Sequence, residues 1–272
     1  MENRATVSIF EEVEVKKRKT ARKENVKTVI RKSLSIFAGA ICWYILSHTI
    51  MTKVPDPIVT ITGTIETIQT EWFYKSIVYS VFRVFTGFCI GTLIGLPVGL
   101  LMGWLRTFRD FTFPVFETLR PMPPVSWIPL SILIFVKLEI SIIFLPFLGS
   151  FFAIALNGKL GVEQIDPSLF RAARCLGAKP LQVFRYVVLP GALPSIFMGL
   201  AIGMGMAWIT VVAAEMISGE YGIGYMTWQS YNLIRYHECI LAMFTIGLLG
   251  YGSSSIIRML GNKFLAWKKV YQ

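Results

Sequence analysis

Charge is scarce in this sequence. Asp, Glu, Lys and Arg make up 16% of its 272 residues, and 54% are hydrophobic; a soluble domain of ordinary composition carries about 25% charged residues. A water-soluble domain is thereby disfavoured. Histidine is nearly missing: His48 and His237 stand without an H-E-x-x-H or H-x3-H pair, so the usual ligand sets for structural zinc and heme are absent. Cys42, Cys89, Cys175 and Cys239 are scattered without C-x-x-C spacing. They read as small packing residues, with no disulfide framework and no metal site. The chain also lacks a phosphate-cradling G-x4-G-K-[ST] loop, because Gly158-Lys159 has neither the upstream glycine nor the following hydroxyl residue; ATP binding by that route is excluded. Ser76, Ser80 and Ser126 have no histidine at matching depth. That argues against an intramembrane protease or lipid transferase.

What the sequence has instead is apolar runs of membrane-spanning length. Six are expected, at 34–51, 77–101, 111–135, 140–156, 193–214 and 239–260. They make one all-α membrane domain over 34–265, between a basic arm at 1–33 and a short tail at 266–272. The formal charge of +11 draws on ten Lys and Arg residues in that arm, including Lys16, Lys17, Arg18, Lys19, Arg22, Lys23, Lys27, Arg31 and Lys32. It reads as a cytoplasmic anchor against anionic lipid, with no nucleic-acid partner. A cleavable signal peptide is not expected, since the charged region is too long and no A-x-A site follows the first apolar run. Lysine and arginine set the orientation. Ten fall in 1–33, two in 105–113, five in 157–189 and four in 258–272, whereas the alternate segments hold only Lys53, Lys75, Lys137 and Arg235. Both termini are expected in the cytoplasm.

Several local patterns stand out within this frame. Ile58, Ile61, Ile65, Ile68 and Trp72 recur at helical spacing behind Asp56-Pro57, which predicts a short capped helix on the outer membrane surface. Gly87, Gly91, Gly95, Gly99 and Gly103 form a ladder spaced by four, the pattern that lets helix backbones approach closely in lipid. Gly199 and Gly203 repeat it. Pro121, Pro123, Pro124 and Pro129 interrupt the third run. Carbonyls freed by a broken helix need protein or water around them, so this stretch should be buried or line a cavity. Arg83 and Arg120 lie within spans, at a cost of roughly 2.5–3.5 kcal/mol each unless paired or wetted. Glu117 is within i,i+3 reach of Arg120, and Glu215 lies at a depth similar to that of Arg83. Two readings stay open: buried ion pairs that fix packing, or arginines that meet an anion as it crosses. On the second, Arg83 and Glu215 belong to an outer gate, and Arg120, Glu117, Pro123 and Trp228 to the pathway.

The most specific stretch runs from Asp166 to Pro190. Asp166 should cap a helix beginning at Pro167, Gly177 should close it in a left-handed conformation, and Pro180 should start a second short helix running toward Pro190. A cytoplasmic connection this long and this well capped is a candidate docking surface. Its spacing resembles the E-A-A-x3-G-x9-I-x-L-P signature of ABC importer permeases, here Arg171-Ala172-Ala173, Gly177, Val187 and Leu189-Pro190. Arg171 stands where the motif has glutamate, inverting a charge, and Val187 replaces isoleucine. Residues 80–88, 119–124 and 190–194 are similar to the branch that imports nitrate, sulfonates, taurine and bicarbonate. Ala213-Ala-Glu-Met216, Gly222-Ile-Gly-Tyr225 and Trp228 are more similar to its nitrate/bicarbonate members.

The resemblance implies a type I ABC importer permease fold: six transmembrane helices with cytoplasmic coupling helices in loop 163–188. Arg171, Ala172, Ala173, Gly177, Ala178, Val187, Leu189 and Pro190 would then shape the surface that meets the ATPase. It further implies a non-catalytic subunit of the bacterial inner membrane that binds no cofactor, with ATP and Mg held by the partner. The partners would be a second permease copy, two ATPase subunits and an extracytoplasmic solute-binding protein. The expected substrate is a small anion such as nitrate or bicarbonate. Sulfonate, taurine or another small organic solute is the alternative. An ion-coupled secondary transporter using Glu117 and Glu215 is a further one.

Overall fold

The computed structural model describes residues 31, 34–35, 37–39, 41–45, 47–49, 55–218 and 221–265, and among them every regular element is a helix. The chain divides into two compact units, Met1–Thr62 and Gly63–Gln272. In the first, the described residues between 31 and 49 are helical. The rest of the expected first span, nearly all of the basic arm and the tail at 266–272 lie outside the described residues. Helix α1 (Pro57–Ile68) follows. It is capped as expected: the Val59 amide donates to Asp56 Oδ1 at 2.7 Å, and Ile58, Ile61 and Ile65 are exposed along one face.

The second unit contains α2 (Glu71–Trp104), α3 (Arg106–Leu119), a 3-10 turn (Pro124–Trp127), α4 (Ile128–Ile134), α5 (Leu138–Glu163), α6 (Pro167–Cys175), α7 (Pro180–Val183), a π turn (Phe184–Val188), α8 (Leu189–Ser218), α9 (Ile223–Asn232) and α10 (Tyr236–Phe264). Among the described residues four helices are long and apolar enough to cross a membrane: α2, α5, α10 and the continuous stretch Pro180–Ile217. Each outruns its predicted apolar window at both ends. Hydropathy marks the hydrocarbon thickness, whereas intrahelical hydrogen bonds continue into the headgroup layer. The expected third span is broken into α3, the 3-10 turn and α4, with Pro123 and Pro124 at the break. The second short helix expected to run from Pro180 toward Pro190 continues past Pro190 within the stretch Pro180–Ile217. The π turn before Pro190 widens the backbone, with Leu189 N–H bonded to the Phe184 carbonyl, where a proline ring would otherwise crowd the preceding turn.

The glycines explain how the long helices pack. Gly87 lies against Ile143 and Phe147, Gly95 against Phe151, Gly99 against Ala155 and Gly103 against Val162. Partner numbers rise with glycine number, so α2 and α5 run parallel. On the other side of α5, Gly161 meets Ser195, Gly203 meets Ile154, and Gly149 meets Thr210; here the order reverses and α8 is antiparallel. Helix α10 is antiparallel to α8 in turn, with Gly261 on Phe197 and Gly250 on Trp208. Trp208 Nε1 donates to Ser253 Oγ at 3.0 Å across that contact. Helix α5 is therefore the centre of the unit. The polar network described below gathers at one end of the bundle, and the α6–α7 loop lies at the other.

Backbone atoms of Ala155 would lie 2.8–2.9 Å from a Cβ at Gly99, whereas a Cβ at Gly247 would meet nothing within 4 Å. Gly99→Leu is expected to destabilise the unit by about 1–3 kcal/mol or more. Gly247→Ala should be neutral or stabilising by up to about 1 kcal/mol. Thermal unfolding of the two variants in detergent checks the contrast.

Candidate functional site

Arg83 projects from the fourth turn of α2 and is fully buried. Its Nε donates to Glu139 Oε1 at 2.8 Å and Nη2 to Glu139 Oε2 at 2.7 Å, while Nη1 donates to Glu215 Oε1 at 3.0 Å and to the Tyr221 carbonyl. Four of the roughly five N–H donors a guanidinium offers are thus engaged. Ser80, one turn earlier on the same face, donates to the Glu215 carboxylate at 2.8 Å and accepts from the Ile223 amide at 2.8 Å. The Gly224 amide donates to Glu215 Oε2 at 3.0 Å. Gly222 adopts φ 143°, a region that favours glycine, and a side chain there would run into the Glu215 carboxylate. Tyr79 stacks on Tyr221 at 5.3 Å, and the Arg83 guanidinium lies 5.4 Å from the Tyr79 ring. The network therefore pins the ends of α2, α5 and α8 to the start of α9.

The predicted meeting of Arg83 with Glu215 is present in the structure. Glu139, the bidentate partner, was not among the expected site residues. Its only signal is an acid at the edge of the apolar run 140–156. Trp228 takes no part in the network; it is exposed and stacks on Tyr231 at 6.1 Å.

Arg120 is held quite differently. It follows α3, midway between the end of α2 and the start of α5, and pairs with Glu117 at 3.4 Å. Both side chains are just over a third exposed, at 39% and 38%, so the expected buried pair is instead a loose and accessible one. Pro123, at the break, is exposed too. A third charged cluster lies toward the other end. Lys159, expected in a loop, is a nearly buried residue of α5, bonded to Glu163 at 2.9 Å with its Nζ 4.4 Å from the Phe113 ring centre. Arg109 of α3 reaches Glu163 at 3.6 Å.

The α6–α7 loop forms as its capping residues dictate. The Ser168 amide donates to Asp166 Oδ1 at 2.7 Å. Gly177 takes φ 76°, and the Ala178 amide reaches the Ala173 carbonyl at 3.0 Å, closing the helix by the left-handed route. No residue of α6 is buried. Arg171 and Ala172 are exposed, Ala173, Ala178, Val187 and Pro190 partly covered, and Leu189 is 37% exposed. Leu169, Leu176 and Leu181 are also exposed. Among the described residues no acid lies within ion-pair distance of Arg171. The neighbouring Val183 and Val188 are buried and anchor the loop.

The Ser168 amide and side chain hold the Asp166 carboxyl below its ordinary value, and Arg171 adds a smaller effect in the same direction. A depressed folded value means that the cap contributes above the ordinary carboxylate pKa and fades as pH falls through the folded one. Acidification below about pH 4 should therefore fray α6, and Asp166→Asn should remove that dependence while keeping a cap. Hydrogen exchange at 167–176, corrected for intrinsic rates, checks this. In the buried network, Arg83→Gln is expected to cost about 3–5 kcal/mol of stability, because it strands buried carboxylates. Ser80→Ala should cost about 1–3 kcal/mol, and Arg120→Gln far less than either. Unfolding in detergent ranks the three.

Comparison with known proteins agrees with this geometry. Residues 91–266 match the family described as binding-protein-dependent transport system inner membrane component. A putative ABC transporter permease protein of Methanocaldococcus jannaschii is 40% identical over 194 residues, covering 71% of this chain and 73% of the relative. A nitrate import permease protein of Synechocystis is 31% identical over 231 residues, with 82% and 84% coverage. A bicarbonate transport system permease protein of Synechococcus elongatus is 33% identical over 245 residues, with 85% of each covered. Among solved structures, an inward-facing form of the MetNI methionine ABC transporter superposes with a TM-score of 0.60 at 21% identity, over 72% of this chain and 95% of that one. Its fold is that of a type I permease. This chain belongs to the binding-protein-dependent inner membrane component family, the permease subunits of ABC importers.

Proposed function

We propose that this permease, paired with a second copy, forms the pathway for a small oxyanion such as nitrate or bicarbonate, and that Arg120 is the cation the anion meets. The observation that carries this reading is the contrast between the two arginines. Arg83 is fully buried with its donors committed to Glu139, Glu215 and Tyr221. The one N–H left over is fully buried and out of reach of a passing ion. Arg120 holds one 3.4 Å partner and is 39% exposed beside the proline break. A guanidinium at that depth does not stay against lipid without cost. Water, a second copy or a substrate must face it, and a weakly held fork is suited to exchange Glu117 for an oxyanion.

On this reading the anion comes from an extracytoplasmic solute-binding protein, and six spans place both termini in the cytoplasm of a cell with the chain in its inner membrane. Two ATPase subunits bind ATP and Mg and seat on the α6–α7 surface. Arg171, Arg174, Lys179 and Arg185 are exposed there, with leucines between them. Such a face fits an acidic groove with apolar walls, so the charge inversion at Arg171 calls for an acid on the ATPase. Nucleotide-driven closure of the ATPase pair would favour one of two pathway states over the other.

Proteoliposomes containing the permease, its ATPase subunits and its binding protein test the proposal. ATP-dependent uptake of nitrate or bicarbonate is expected, and Arg120→Gln should lower it about tenfold or more without loss of assembly. Wild-type uptake by Arg120→Gln removes the pathway assignment. Uptake of taurine in place of the inorganic anions moves the substrate to the sulfonate class. A relative from Bacillus subtilis, 31% identical over 221 residues, is a putative aliphatic sulfonates permease.

A further inference from the structure

Helix α2 ends at Trp104, where Leu105 turns extended at φ −107° and ψ 112°. The loop that carries α6 and α7 is joined through the backbone to α5 and α8. It meets α2 through side chains, and Trp104 is central to that meeting. The Trp104 ring lies 6.2 Å from Phe170 of α6 and 5.8 Å, edge-on, from Phe184 at the start of the π turn. One indole thus touches both halves of the loop. The three rings border the buried Leu100, Val162, Val188, Ala192 and Ile196.

Two further features bear on what that contact does. Beside the rings lies a groove of about 470 Å³, lined by Trp104, Leu105, Val162, Ile165, Pro167 and Phe170 among others. Helix α6, with no buried residue, is therefore attached to the bundle lightly and has space to shift. Helix α2, by contrast, is stiffly held. Its glycines lie against α5, and Arg83 ties its far half to Glu139 and Glu215. Arg83 and Trp104 lie on one continuous helix, about 30 Å apart at the α-helical rise. A mobile element pressing on the end of a rigid rod is a lever, and packed cores pass on such displacements because they deform little.

We propose that Trp104 is the positioning residue that passes movement of the ATPase-docking helix α6 into α2, and through α2 to the Arg83–Glu139–Glu215 network. Movement of α6 tilts the indole between Phe170 and Phe184, and α2 follows as a unit. The inference rests on the importer reading above, in which α6 is the element the ATPase moves. Removing the indole should leave docking and hydrolysis in place while separating them from transport.

The test uses the complete complex in proteoliposomes, with nitrate, bicarbonate and taurine as probes, and measures solute accumulated per ATP hydrolysed. In Trp104→Ala the ratio is expected to fall about tenfold with hydrolysis little changed. Trp104→Phe, which keeps a ring between Phe170 and Phe184, should recover most of it. Phe170→Ala supplies the same loss from the exposed side of the contact while leaving α2 whole. An unchanged ratio in both alanine variants overturns the inference, as does a proportional fall of uptake and hydrolysis, which marks a docking role only. Absence of ATP-dependent uptake of every probe by the wild-type complex overturns the small-anion reading instead.

Discussion

Close approach of backbones around α5 is the constraint from which the rest of this structure follows. Lipid is as apolar as a leucine side chain, so burying apolar surface gives helices little reason to associate in a bilayer, and contact must come from packing and polar bonds. Helix α5 is packed on one side by the α2 glycines and meets α8 on the other through Gly149, Gly161, Gly199 and Gly203. Larger side chains along either seam would push the backbones apart. With the seam closed, the helix ends come into register, and the charged side chains at those ends find one another.

Polar groups are then sorted by what the packing leaves for them. At one end, three helices converge closely enough for a single guanidinium to bridge two carboxylates and a backbone carbonyl with no exposure. Such a group is a tie. Beside the proline break in the third segment there is no comparable convergence, and Arg120 and Glu117 remain loosely paired and accessible. Two arginines of similar sequence context thus become chemically unlike, one committed to the fold and the other open to a ligand.

The loop between α5 and α8 obeys water-side rules. Its helix is set by Asp166, Pro167 and Gly177, and its outer face shows cations and leucines, with no acid among the described residues within ion-pair distance of Arg171. Where it rejoins the bundle, a π turn lets the chain pass through Pro190 without stopping. Trp104 sits at the junction between this lightly attached element and the tightly packed rods. Stiffness on one side and slack on the other are what a device that converts one motion into another requires.

Much of this was legible in the residues. Run length and composition determined a helical membrane protein, the spacing of Asp166, Gly177 and Pro190 with the two alanines marked the loop and its family, and the i+4 glycines announced close packing. These signals are local or periodic, so one strand of sequence carries them whole. Tertiary structure alone decided which helix the glycines meet, that Glu139 completes the Arg83 network 56 positions away, that Lys159 is buried under Phe113, and that Trp104 touches both Phe170 and Phe184. It also decided that Arg83 is satisfied and Arg120 is not. Charge and depth are written along the chain, but the number of donors a guanidinium has left depends on which distant side chains the packed helices bring within about 3 Å of it.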